Sequence, residues 1–285
     1  MTDAADWPNL FVVGAAKAGT TSLWRYLGQH PDIYMSPVKE PHFFSSFVPG
    51  LFPAVKDEES YLKLFTAGRE TTLRGEASAS YLWDPDSAAA IKRASPDAQI
   101  VITLRDPVER AYAFYWTGVK YGGQQESFLE AVTAELALPE AEWPSTLYVG
   151  YSLYADSVQR YLDAFDANVT VLFFEDLSRD TRSELRALFT QLGVDPAAAD
   201  AMSVERHNRF ALPRNELSRH VLTFKPLRGL ARALVPAARR ARVESVLLTS
   251  ASRPEMEPEA RRLLVEAFEP QRDRLGGMLG RPLPW

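Results

Sequence analysis

The chain has 285 residues, of which 46% are apolar and 24% charged, and its formal net charge is −5. That composition can fill a large core, so wholesale disorder is excluded. The absence of cysteine excludes disulfides, cysteine metal sites and a cysteine nucleophile, and the four histidines (His30, His42, His207, His220), none paired at metal-ligand spacing, argue against a zinc enzyme.

No run approaches the roughly 20 apolar residues that cross a bilayer. Residues 1–7 carry two aspartates and no basic residue, unlike a signal peptide, so a cytosolic protein is expected. Of the 32 basic residues 25 are Arg, a bias that, with abundant Ala, associates with GC-rich bacterial genomes. Residues 9–13 form a short apolar run ending at Gly14, the pattern of a buried strand. Residues 20–29 follow with Leu23, Tyr26 and Leu27 at helical spacing, stopped near Pro31. A strand is expected at 71–74, a second buried and β-branched one at 100–104, and a third at 169–174. Helices are expected over 107–120, 152–165, 181–192 and 257–279, with Pro258 early in the last and Arg281-Pro282 ending it. Residues 122–145 are more polar and read as an insertion or a mobile loop. Strands alternating with helices predict an α/β fold with a central parallel sheet covered on both faces. Without a repeat or low-complexity linker, residues 1–285 read as a single domain. Its most biased stretch is 206–242, with ten basic residues against the single acid Glu216, which leaves the rest of the chain markedly acidic. Such a block faces an anion, or it is a solvated helix face.

The most informative segment is Gly14-Ala15-Ala16-Lys17-Ala18-Gly19-Thr20-Thr21-Ser22, which follows a strand and opens a helix. Small residues let backbone N–H groups approach an anion, and the helix N-terminus adds about half a positive charge. Lys17 adds a full charge, and Thr20, Thr21 and Ser22 add hydroxyl donors. The nucleotide triphosphatase pattern places its lysine directly after the second glycine. Here Thr20 follows Gly19 and the lysine sits earlier, which suits a nucleotide with one 5′ phosphate group better than a magnesium triphosphate.

The phrase FVVGAAKAGTTSLWRYLGQHPDIYMSPVKEPHFF, residues 11–44, resembles the sulfotransferases that use 3′-phosphoadenosine 5′-phosphosulfate (PAPS), in their bacterial and Golgi carbohydrate-type branch. The similarity runs on through Arg105-Asp106-Pro107-Val108-Glu109-Arg110-Ala111-Tyr112, then Phe174-Glu175-Asp176-Leu177, to the terminal LGRPLPW. It implies a three-layer αβα fold of the P-loop type and PAPS as co-substrate, with no metal. The loop from Ala15 through Lys17, Ala18, Gly19, Thr20 and Thr21 to Ser22 would bind the 5′-phosphosulfate. Lys17 would stabilise the departing phosphate, because charge develops there in the transition state. Arg105, whose fork suits phosphate, would grip the 3′-phosphate. The family's serine eight residues later is Ala113 here, so one contact is missing, and residues 207–214 are a candidate cover for the nucleotide. Glu40 in Lys39-Glu40-Pro41-His42-Phe43-Phe44 would be the general base on the acceptor, with His42 as the rival. Relatives often carry a lysine where Ala77 stands, and Ser78 and Tyr81 beside it would line an acceptor cleft or form a capped turn. The acceptor is a hydroxyl of a small molecule, glycan or lipid. Net acidity argues against a nucleic-acid partner, and 226–235 is amphipathic enough to touch a membrane surface or to form a plain surface helix. A P-loop kinase or hydrolase, or a non-catalytic nucleotide-binding relative, is the alternative.

Overall fold

A computed structural model of the chain describes residues 7–46, 54–121, 123–204, 210–215, 218, 247–250 and 252–285. Five strands, β1 (Leu10–Gly14), β2 (Ile33–Met35), β3 (Leu73–Ala77), β4 (Gln99–Leu104) and β5 (Val169–Phe173), form one sheet in the order β2-β3-β1-β4-β5. Every neighbouring pair is parallel. The apolar run at β1 makes this possible, because successive side chains alternate between the two faces of a strand. Phe11 and Val13 join Ile100, Ile102 and Leu104 on one face, packed with Tyr61, Ile91, Tyr154, Val158 and Tyr161. Leu10 and Val12 join Val101 and Leu172 on the other, packed with Leu23, Leu27, Leu185 and Leu188. The first set comes from α2 (Glu58–Lys63), α3 (Ser87–Ala94) and α6 (Tyr154–Phe165), the second from α1 (Thr20–Leu27) and α8 (Thr181–Gln191). The result is the three-layer αβα sandwich that the pattern predicts.

This sheet belongs to one of two compact units, Met1–Arg110 with Tyr151–Glu205 and Phe268–Trp285. The other is Ala111–Gly150 with Arg206–Ala267. The remaining helices are α4 (Pro107–Lys120), α5 (Phe128–Leu136), α7 (Phe174–Arg179), α9 (Ala198–Ala201) and α10 (Pro258–Leu279), and a short antiparallel pair joins β6 (Ala211–Pro213) to β7 (Leu248–Ser250). Residues 122–145, read as an insertion or a mobile loop, contain α5. Its Ser127 hydroxyl accepts the Glu130 N–H while Glu130 accepts the Ser127 N–H, a reciprocal cap that starts the helix. The Glu135 carboxylate then accepts the amides of Leu147, Tyr148 and Val149, which orders the segment's far end. The strand expected at 71–74 starts at Leu73 instead, because the Thr71 hydroxyl is committed to a turn with the Gly68 and Leu73 carbonyls. At the exposed edge strand β5, the Arg281 guanidinium donates to the Val171 carbonyl (2.6 Å) and lies 4.3 Å over the Phe173 ring, with Trp285 edge-on to that ring. Most of the basic segment 206–242, all of 226–235 and residues 207–209 lie outside the described residues. Among the described residues no helix is long and apolar enough to cross a membrane.

Candidate active site

Five parallel strands bring their C-terminal ends to one edge of the sheet, and the strand order reverses direction at β1, the position where α/β sheets open a crevice. The residues that follow those ends build the site. After β1 the chain is pinned to β4: the Ala15 N–H donates to the Thr103 carbonyl (2.6 Å) and the Thr103 hydroxyl to the Gly14 carbonyl (3.0 Å). A Cβ on Gly14 would sit 2.6 Å from the Leu82 Cβ, so only glycine passes there. Ala18 donates its N–H to the Ala15 carbonyl (3.1 Å). The amides of Ala15 and Ala18 are therefore spent on the loop's own shape, and their methyls are buried in the core. Gly19 caps α1 at φ +90°, and a Cβ there would lie 2.9 Å from the Phe174 ring. The chain then enters α1 at Thr20, Thr21 and Ser22, and the Ser22 and Leu23 amides close its first turn on the Gly19 carbonyl (3.0 and 3.1 Å). The Lys17 side chain is exposed at the loop's crest.

Arg105 follows β4. Its Nη1 donates to the Lys17 carbonyl (3.2 Å), its guanidinium lies 4.7 Å over the Phe174 ring, and Glu109 Oε2 stands 3.8 Å from Nη2. Arg105 is thus joined to the loop that carries Lys17. Asp106 serves a different end: its Oδ1 accepts the Val108 N–H, capping α4, while its own N–H donates to Glu175 Oε1 (3.1 Å). Burial raises the Glu175 carboxyl above its ordinary value. Ala113 lies on α4 with its methyl buried and its carbonyl accepting the Thr117 hydroxyl (3.1 Å).

The segment after β2 runs alongside β3, with the Ser36 N–H on the Gly75 carbonyl and the Glu40 N–H on the Ala77 carbonyl. Glu40 and His42 both adopt left-handed backbone, at φ 61° and 55°. Glu40 is 28% exposed and its Oε1 accepts Lys39 Nζ at 2.7 Å. Burial pushes its carboxyl up, but Lys39, His42 and Lys17 together pull it further down, leaving it below its ordinary value. The influence of Lys17 on Glu40 puts loop and carboxylate in one electrostatic field. His42 is 4% exposed, with Nδ1 2.8 Å from Ser80 Oγ and Nε2 3.8 Å from Glu40 Oε2. Burial lowers its pKa, Glu40 opposes and Lys39 adds to the lowering, so the imidazole is neutral at pH 7.

Beneath this segment lies a group with no role in the sequence reading. Glu76, on β3, is fully buried. Its Oε1 accepts the hydroxyls of Tyr61 and Tyr81 (both 2.7 Å) and its Oε2 accepts that of Ser78 (2.6 Å). Burial pushes its carboxyl up to about 6, against the pull of the three hydroxyls and Lys39. Ser78 and Tyr81, expected either at a cleft or in a capped turn, are fully buried and bond Glu76. The signal was present as a carboxylate followed within five residues by a serine and a tyrosine, but the contribution of Tyr61 from α2 is non-local. Among the described residues no group of three or more histidine, aspartate or glutamate side chains is arranged to hold a metal ion.

Residues 8–198 match the model of the sulfotransferase family. A sulfotransferase from Alicyclobacillus acidocaldarius superposes with a TM-score of 0.70 at 33% identity, over 97% of each chain. Human carbohydrate sulfotransferase 15 is 27% identical over 249 residues, spanning 66% of this chain and 44% of that protein. Mouse heparan sulfate glucosamine 3-O-sulfotransferase 3A1 is 30% identical over 199 residues, 68% of this chain and 47% of that protein. The chain thus spans less than half the length of these two relatives.

Proposed function

The chain belongs to the sulfotransferase family, and from that premise we propose that it transfers the sulfuryl group of PAPS to an acceptor hydroxyl. The products are a sulfate ester and adenosine 3′,5′-bisphosphate. One observation carries the reading: Lys17, Arg105 and Glu40 meet at one edge of the sheet, Arg105 bonded to the lysine's own carbonyl and Glu40 within the lysine's field. The donor set fits the co-substrate. A glycine-shaped loop at a helix N-terminus, with one lysine and three hydroxyl residues, suits a phosphosulfate, and an arginine fork suits a second phosphate.

Lys17 faces the oxygen that joins phosphate to sulfate and holds the charge that appears there as the sulfur–oxygen bond breaks. Thr20, Thr21 and Ser22 hold the 5′ group at the head of α1, and Arg105 orients the 3′-phosphate. Glu40 takes the acceptor proton as the new sulfur–oxygen bond forms. It is better placed than His42, being ionised and partly exposed where the imidazole is buried and engaged with Ser80. The relatives' names make a saccharide hydroxyl the first acceptor class to test. Ala77, where a lysine is common, is fully buried and offers no cation to an acidic sugar.

Calorimetric titration of adenosine 3′,5′-bisphosphate into the wild type and Lys17→Ala, with ATP–magnesium as competitor, tests the donor site. Transfer from radiolabelled PAPS to a panel of oligosaccharides and phenols tests the reaction. Bisphosphate binding weakened in the variant, with sulfate incorporated into a saccharide, is expected. Preference for ATP–magnesium would overturn the reading in favour of phosphoryl transfer, and bisphosphate binding without transfer to any acceptor would indicate a non-catalytic relative.

A further inference from the structure

The backbone of the acceptor-side segment needs an explanation. Two non-glycine residues, Glu40 and His42, stand in the left-handed region two positions apart. Each such residue is strained and persists only where the surroundings over-determine it. The amides beyond them show how. The His42 N–H donates to Ser78 Oγ (3.1 Å), and that same hydroxyl donates to Glu76 Oε2 (2.6 Å). The Phe44 N–H donates to the Tyr81 hydroxyl (3.2 Å), which donates to Glu76 Oε1 (2.7 Å). An amide can only donate, so each hydroxyl must accept from it and turn its own proton to the carboxylate. Both relays therefore end on one buried group.

We propose that Glu76 is a positioning residue, whose carboxylate holds the amides of His42 and Phe44 through Ser78 and Tyr81 and so fixes the turn that presents Glu40 to the acceptor. Glu76 touches neither co-substrate nor acceptor in this role; it acts through hydroxyls. The inference rests on the reading of Glu40 as the base. Tyr61 supplies the internal contrast: its hydroxyl also donates to Glu76 (2.7 Å), but it belongs to neither relay.

The test uses the full chain and three substitutions, Glu76→Gln, Ser78→Ala and Tyr61→Phe. Amide hydrogen exchange at His42 and Phe44 reports the turn directly, without reference to the reaction. Transfer from PAPS gives kcat and the KM for PAPS, and titration of adenosine 3′,5′-bisphosphate reports the donor site. Glu76→Gln and Ser78→Ala are expected to lower kcat by at least about tenfold, since a catalytic group displaced by an ångström costs about a hundredfold. Exchange at His42 should rise in both, while the KM for PAPS and bisphosphate affinity stay unchanged. Tyr61→Phe should retain wild-type kcat. If Tyr61→Phe falls as far as Ser78→Ala, or if exchange at His42 is unaltered in Glu76→Gln, the positioning role is overturned. Should Glu76→Gln not fold, Ser78→Ala and Tyr81→Phe each cut one relay and carry the same comparison. Failure of the sulfotransferase reading would appear separately, as a wild type that binds no bisphosphate, and the exchange measurement would still decide the role of Glu76.

Discussion

Glu76→Gln should change how stability depends on pH. In the folded chain the carboxyl is pushed up to about 6 from an ordinary value of 4.5, chiefly by burial, with three hydroxyls and Lys39 pulling the other way. Between those two values the folded state binds more protons than the unfolded state, so stability falls as pH rises. At 1.36 kcal/mol per pH unit, the raised value makes the ionised carboxylate cost about 2 kcal/mol relative to the protonated form. That stability is fully present below the unfolded value and is lost as pH rises through 6. Glutamine has no proton to lose at this position. Urea unfolding of both proteins at several pH values between 4 and 7.5 isolates the effect, because every other titrating group cancels in the difference. Relative to the variant, the wild type should lose about 2 kcal/mol across the window. A difference that stays flat would show that the three hydroxyls fully offset burial. A difference of opposite sign would show that they hold the carboxyl below its ordinary value, and either result would refute the electrostatic reasoning.

Three further outcomes follow from the geometry. Arg105→Lys removes the planar fork that reaches the Lys17 carbonyl and stacks on Phe174; a loss of about 2 to 3 kcal/mol in charge-assisted bonding should weaken adenosine 3′,5′-bisphosphate by about 30- to 160-fold in calorimetry. Gly19→Ala places a Cβ 2.9 Å from the Phe174 ring at φ +90°, and the strain of about 1 to 3 kcal/mol should lower the melting temperature and weaken the bisphosphate together. Arg281→Ala uncovers the Val171 carbonyl and the Phe173 face at the sheet edge, which should cost about 1 to 2 kcal/mol in urea unfolding and leave bisphosphate affinity unchanged.

The layers of the fold were legible because β1, β4 and β5 read as apolar runs and the helices between them carried apolar residues at helical spacing. The site on the donor side was legible too, since Gly14 to Ser22 is contiguous and its chemistry local. What escaped reading depends on partners far away in sequence. β2 is a strand of three residues, Ile33–Met35, made by pairing with β3 and not by its own composition. Residues 122–145 looked polar because α5 is capped by Ser127 and Glu130, side chains that also mark loops. Asp106 stands next to Arg105, yet its carboxylate is spent on the first turn of α4 and the arginine turns to Glu109 and the loop, partners that adjacency does not reveal. Glu76 was only partly legible, because Ser78 and Tyr81 lie close to it in sequence but the third hydroxyl, Tyr61, comes from α2.

The charges around Glu40 explain why two carboxylates so near each other in the fold behave in opposite ways. Glu76 is held by three neutral hydroxyls, and their pull together with that of Lys39 does not offset desolvation, so its carboxyl rises. Glu40 meets Lys39 at 2.7 Å and feels Lys17 as well, and these two cations outweigh burial, so its carboxyl falls. A carboxylate held this low is a weak base toward water but remains ionised at neutral pH, and in the proposed transfer the acceptor hydroxyl acquires acidity only as it bonds to sulfur. The ammonium of Lys39 that keeps it charged must yield part of its bond when the proton arrives. Rotation of Lys39 away from Oε1 would raise the basicity of Glu40 at that moment, whereas the relays to Glu76 keep the backbone beneath it still. The proposed proton transfer thus asks Lys39 to loosen its bond to Oε1 while the turn stays fixed, and the two demands fall on neighbouring residues with different partners, Lys39 on Glu40 and His42 on Ser78.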